Sequence, residues 1–276
     1  MAVQTRTRNT SVIVGAVLVG LVVLAALVSF FWTPHDPVKV NAAARLLGPT
    51  GDYLFGTDKF GRDVASQIMV GARTTLYVGV VAVGIAALAG TPLGILAGMS
   101  RRWLGEFVMR VNDLVLAFPA LLLAIMFGAV YGASTLTAMI AIGIATVPSF
   151  ARMARSGTLQ VMSTEYVLAA RSAGRSRLNI AVRHVVSNIS GLLIVQASVS
   201  FAIAVLAEAA LSFLGFGTRP PTPSWGRMLQ ESQELLTVQP RLALVPGIAI
   251  ALAVLGFNLL GDGLRDRFDP RLAARS

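Results

Sequence analysis

The sequence predicts an all-α, polytopic membrane protein with six transmembrane helices, a helical cytoplasmic loop and both termini on the cytoplasmic side. Three observations carry that prediction. Hydrophobic residues fill 55% of the 276 positions and charged residues only 13%, about half the charged share of an ordinary soluble domain. Six apolar runs are long enough to cross a bilayer, which takes about 20 helical residues each. Basic residues alternate in density between the connecting loops, as the positive-inside rule demands of a chain that crosses and recrosses. Six crossings consume about 120 residues and the remainder is divided among loops and ends, which leaves little room for a separate soluble catalytic domain.

The first run, residues 11–32, follows Arg6 and Arg8 and at 1.5 Å per residue covers about 33 Å. A cleaved signal peptide would have a shorter apolar core and a small-residue A-x-A site, whereas Thr33-Pro34-His35-Asp36 follows here. A retained helix is therefore expected. Residues 34–57 read as an irregular external excursion, with Pro, Gly and Asp at its turns, leading into a short helix over 62–72. Val64, Ile68 and Ala72 would give that helix one face to lay on the membrane or on another helix. The remaining spans fall at about 74–98, 107–130, 134–154, 189–213 and 242–261, with a long loop at 155–188. No internal repeat or Gly/Ser linker divides the chain, so residues 1–276 read as one domain.

Charge sets the orientation. The N-terminus, the 99–106 turn, the 155–188 loop and the C-terminal tail, with the adjoining helix ends, hold 15 basic residues against 8 on the other side. The first side is expected to be cytoplasmic, with Arg6, Gly174 and Arg271 inside and Gly51 and Pro221 outside. The same alternation accounts for the net charge of +10 better than nucleic-acid binding does, because 21 of the 23 basic residues are arginines scattered between apolar runs. With no cysteine, thiolate chemistry and disulfides are excluded; two histidines, His35 and His184, make no histidine-rich metal site.

Three places invite chemistry. In the 155–188 loop, Ala169, Ala170 and Gly174 form a small-residue surface open to close approach, and Arg171, Arg175, Arg177 and Arg183 surround it with positive charge. Composition alone leaves two uses for it, a resting place on anionic lipid or a partner's docking point. Glu208 lies inside the fifth span, where a charge is costly: it either faces a translocation path and meets a substrate amino group, or sits near the outer interface and pairs locally or with a partner chain. Outside the membrane, Arg62 is expected to pair with Asp58 or Asp63 in a structural turn. Trp225, within the Pro220 to Gly226 loop, would either contact an external protein or anchor the chain at the interface. Arg110 and Asp113, spaced i, i+3, suit an ordinary ion pair, and Pro119, Pro148 and Pro246 are sites for kinks.

The loop pattern, with Ala169, Ala170 and Gly174 in place of the A, A and G of E-A-A-x-x-x-G, resembles the inner-membrane permeases of ATP-binding cassette importers. Leu168 stands where that pattern has Glu, and His184, Val186 and Ser187 where it continues I-x-L-P. Four further segments are similar to the dipeptide and oligopeptide branch, in consistent order: Phe55 to Asp63 with Gly71 to Leu76, Leu211 to Gly217, Pro220 to Gly226, and Asn258 to Leu272. The likeness is to the C-type permease subunit of that branch.

The resemblance implies a multi-pass protein of the bacterial plasma (inner) membrane that forms half of a pathway for short peptides. Its implied partners are a homologous second permease, two cytoplasmic ATPase subunits or domains, an external substrate-binding protein and the lipid bilayer, with no nucleic acid. It also implies that Ala169, Ala170, Arg171, Gly174 and Arg175 meet the ATPase. The chain has no G-x-x-x-x-G-K-[ST] loop, so it is expected to bind no cofactor and to be no enzyme, ATP and Mg being held by the partner. Nickel or another small solute is the alternative cargo. A secondary transporter, the rival of another class, would call for repeats or paired broken helices with ion ligands.

Overall fold

The computed structural model describes residues 2–268. Ten α-helices follow one another among them. Helix α1 (Ala2–Val28) ends in the irregular excursion 29–63, and α2 (Val64–Met99) returns through the bundle. After a tight turn come α3 (Arg102–Ala117), α4 (Ala120–Tyr131) and α5 (Thr135–Met162). Short α6 (Glu165–Ser172) precedes α7 (Arg177–Ile180), which runs through a π-helical stretch at Ala181–Val186 into α8 (Ser187–Phe213). Last are α9 (Trp225–Ser232) and α10 (Arg241–Phe268). Five helices are long and apolar enough to span a membrane, and the α3–α4 pair makes a sixth if it is one broken span.

Several boundaries depart from the sequence expectation, each for a local reason. The first helix stops at Val28 rather than near Trp32, because Arg73 of α2 captures Ser29: its Nε donates to Ser29 Oγ at 2.9 Å, Nη2 donates to the Ser29 carbonyl, and the guanidinium lies over the Phe30 ring. The expected short helix over 62–72 is no separate element but the first turns of α2. Asp63 caps it, accepting from the backbone N–H of Ala65 and Ser66 at 3.3 and 3.0 Å.

The third span breaks. Pro119 has no N–H to donate and denies helical geometry to its predecessor, so Phe118 is extended (φ −85°, ψ 126°) and α3 and α4 meet at 78°. The 155–188 loop is shorter than expected, since α5 persists to Met162 and helix resumes at Arg177, where Ser176 Oγ accepts from Asn179 N–H at 3.2 Å. Of the C-terminal signature, Asp269, Pro270, Arg271 and Leu272 lie outside the described residues.

Small residues decide how the helices meet. In α2, Gly90, Gly94 and Gly98 lie on Ala151, Ala154 and Thr158 of the parallel helix α5; a Cβ on Gly94 would stand 2.2 Å from the Ala151 carbonyl oxygen. In lipid no water drives apolar faces together, so such close backbone approach supplies the dispersion contacts instead. Helix α1 packs antiparallel to α10 in the same way, with Gly15 against Leu260 and Gly263 against Val12. Helix α8 joins the two halves: Ser198 Oγ donates to the Phe257 carbonyl at 2.7 Å, and Phe201 stacks on Phe257. One end of the bundle thus carries the excursion and α9, and the other carries α6.

Candidate functional site

At the α6 end, Val167 is the residue that seats the short helix. It is fully buried against Ala154 and Val161 of α5 and Ile180, Val185 and Ile189 of the α7–α8 helix. Val167 therefore ties α6 to two long helices at once. The helix closes as a Schellman motif: Arg175 N–H donates to the Ala170 carbonyl at 3.1 Å and Gly174 adopts φ +77°. Glycine is favoured there, because most L side chains are strained in that left-handed geometry.

Ala169, Arg171, Gly174 and Arg175 are exposed and Ala170 half-buried, so the five residues singled out from sequence form one continuous surface. Apolar Leu168, Leu178 and Val182 extend it, and Arg177 and Arg183 complete its positive rim. Among the described residues none of these four arginines has an ion-pair partner. Tyr166 leans on His184, ring centroids 5.9 Å apart, across the gap between α6 and the π-helical stretch. Apolar and cationic groups thus surround one glycine turn, the cations without an ion-pair partner among the described residues.

The second candidate, Glu208, is enclosed. It is 1% exposed on α8, where its Oε1 accepts from Ser212 Oγ at 2.7 Å and from Thr218 Oγ1 at 3.4 Å, while Oε2 has no hydrogen-bond partner among the described residues. Ser212 Oγ in turn accepts from Thr218 N–H at 3.0 Å. The carboxyl thus fastens the 214–224 segment to the helix and lines no open path in this state.

In the excursion, Arg62 chooses Asp58 of the two expected partners. Its Nε donates to Asp58 Oδ2 at 2.6 Å, and its Nη2 pairs with Glu231 of α9, which also accepts from Arg227. Asp58 additionally accepts from Gln67 Nε2 at 3.0 Å and from the backbone N–H of Phe60 and Arg62. Asp63 takes the separate task of capping α2. Glu231, Gln67 and Arg227 were not foreseen: only the fold brings α9 onto the excursion. Arg241, at the start of α10, completes the tie by donating to the carbonyls of Phe55, Leu47 and Thr57.

Trp225 corrects both of its expected uses. It is 2% exposed, donates from Nε1 to the Ile68 carbonyl at 3.0 Å, and lies on Gly71, whose absent side chain leaves its space. Neither a delivery protein nor the bilayer interface can reach it. Arg110 and Asp113 also do not pair; Asp113 accepts from Arg152 of α5 at 2.8 Å.

Comparison with known proteins agrees with this architecture. The sequence profile of the binding-protein-dependent transport system inner membrane component matches residues 90–274. A dipeptide transport system permease protein DppC of Alkalihalophilus pseudofirmus is 41% identical, covering 96% of this chain and 87% of that protein. A di/tripeptide transport system permease protein DppC of Pseudomonas aeruginosa is 38% identical over 98% of this chain and 91% of that protein. A glutathione transport system permease protein GsiD of Pectobacterium atrosepticum is 38% identical over 93% of this chain and 87% of that protein. Among solved structures, a chain of the MetNI methionine ABC transporter in inward-facing form superposes with TM-score 0.62 at 16% identity, covering 74% of this chain and 96% of that one, a likeness of fold alone. By profile, by near full-length identity and by the helical architecture that carries both, the chain belongs to the family of binding-protein-dependent transport system inner membrane components.

Proposed function

We propose that this chain forms half of the membrane pathway of an ATP-driven importer of short peptides. On this reading a related permease forms the other half, two ATPase subunits or domains dock on the α6 end, and an external substrate-binding protein delivers cargo to the excursion end. The observation that carries the peptide assignment is near full-length similarity to permeases named for dipeptide, di/tripeptide and glutathione transport. The charge split supports a cytoplasmic α6 end, because the basic residues crowd there.

The mechanics follow from how α6 is held. ATP bound and hydrolysed in the partner subunits supplies the work, since this chain lacks a phosphate loop. A push on the exposed face of α6 passes through Val167 to α5 and to the α7–α8 helix, and from α5 to α2 through the glycine-lined contact. Close packing makes these helices move as bodies, so the pathway at the permease interface can alternate between two faces. Glu208 would enter such a path only when residues 212–224 move off it. Asp58, Arg62 and Asp63 hold the shape of the surface that the delivery protein meets.

Reconstitution tests the proposal. Liposomes carrying this chain with its cognate permease and ATPases should accumulate labelled dipeptide only when ATP and the binding protein are supplied. Uptake by this chain alone, driven by an ion gradient without ATP, would sink the reading and favour a secondary transporter.

A further inference from the structure

Helix α3 carries a charged stripe that the transport cycle described above does not use. Arg102, Glu106, Arg110 and Asp113 recur at i, i+4, i+8 and i+11, one flank of the helix, and all four are exposed. Arg152 and Arg155 of α5 approach the same groove. Asp113 accepts from Arg152 at 2.8 Å, Glu106 accepts from Arg102 at 2.8 Å, and Glu106 lies within electrostatic reach of Arg110 and Arg155. Four guanidinium groups against two carboxylates leave two positive charges in excess. Arg110 and Arg155 have no ion-pair partner among the described residues, and the half-buried Arg155 holds an Nε enclosed with no acceptor.

The next face of α3 is apolar and equally open, with Trp103, Phe107, Val111 and Leu114 exposed. A water-filled path would not be walled by such residues. Because α3 is bent 78° from α4 and packs at the α2–α3 turn, where Gly105 touches Ala97, it belongs near the membrane boundary, where one flank can meet acyl chains and the other headgroups. Arginine forks match phosphate oxygens in pairs, and basic grooves between membrane helices favour anionic headgroups. We infer that the α3–α5 groove is a binding site for the phosphodiester headgroup of an anionic phospholipid, held by Arg110 and Arg155, with Trp103 and Phe107 beside its acyl chains.

The test uses the permease purified in detergent with its co-purifying subunits, titrated with dioctanoyl phosphatidylglycerol or dioctanoyl phosphatidylcholine while thermal unfolding is followed. The wild type should reach half of its stabilisation at a phosphatidylglycerol concentration at least about fivefold below that for phosphatidylcholine. Arg110→Gln with Arg155→Gln should erase that preference, the two Lys replacements should keep part of it, and Arg219→Gln, an exposed site at the other end of the bundle, should keep all of it. Asp113→Asn, which frees Arg152, should enlarge the preference and reports even if the double Gln variant fails to fold. Equal response to the two lipids in the wild type, an unchanged preference in Asp113→Asn or in a folded double Gln variant, or loss of it in Arg219→Gln would overturn the site. A shift reproduced by inorganic phosphate alone would overturn the lipid assignment in favour of a free-anion site.

Discussion

Gly174 separates two demands that meet at one residue. Its φ of +77° must be left-handed to close α6, yet a side chain added there would meet nothing within 4 Å inside this chain. Gly174→Arg should therefore leave the bundle folded, at a local cost of about 1–2 kcal/mol for the backbone conformation, while abolishing ATP-dependent uptake by obstructing a docked partner. Gly174→Asn, a residue that tolerates the left-handed region, should retain most of the uptake. Co-purification of the ATPase at matched membrane expression checks this, and normal uptake by the Arg variant would show that α6 is no coupling surface. Trp225 makes a second residue-scale case. Its burial on Gly71 means that Trp225→Ala should destabilise the protein by about 3–5 kcal/mol. A docking residue on the surface would instead change partner affinity at constant thermal stability, which differential scanning of the purified protein distinguishes.

Helices pack here by what they omit. The Gly90, Gly94 and Gly98 series brings the α2 backbone onto α5, so Gly94→Val places methyl groups where the Ala151 carbonyl and Ala154 already stand. Overpacking of this kind costs about 1–3 kcal/mol when neighbours can yield; here the obstacle is backbone. A melting temperature lowered by several degrees is expected, and an unchanged one would refute the close contact. The role of this series emerges only from the fold, because a four-residue spacing on one helix does not name the helix it faces. The six apolar runs and the Asp58–Arg62 turn were legible because hydropathy and short-range spacing record them directly. The break at Pro119 was legible only as a possible kink, since a proline fixes that a helix is disturbed and the neighbouring packing fixes by how much. Trp225 and Glu231 could not be placed, because their partners, Gly71 and Arg62, are more than 150 residues away in the chain.

Antiparallel pairing of α1 with α10 and parallel pairing of α2 with α5 leave only one relative sidedness: the excursion and α9 at one end, α6 at the other. Which end meets the cytoplasm is then a question of charge, and the 15 to 8 split of basic residues is the ground for the proposed cytoplasmic α6 end. The native chain lacks cysteine, so single substitutions give an unmixed labelling signal. Gly51→Cys is suited to the excursion because its site is exposed and an added side chain meets nothing within 4 Å, and Ser172→Cys is exposed on α6 without disturbing the Gly174 turn. A membrane-impermeant maleimide applied to intact cells or spheroplasts should label the first variant and reach the second only after permeabilisation. The reverse pattern would place the ATPase-facing surface outside the cell, where no ATP is available to drive it, and would refute the coupling role of α6 together with the orientation. Labelling of both sites from outside would refute the span count itself, because three crossings, α2, the α3–α4 pair and α5, lie between Gly51 and Ser172 and must put them on opposite sides.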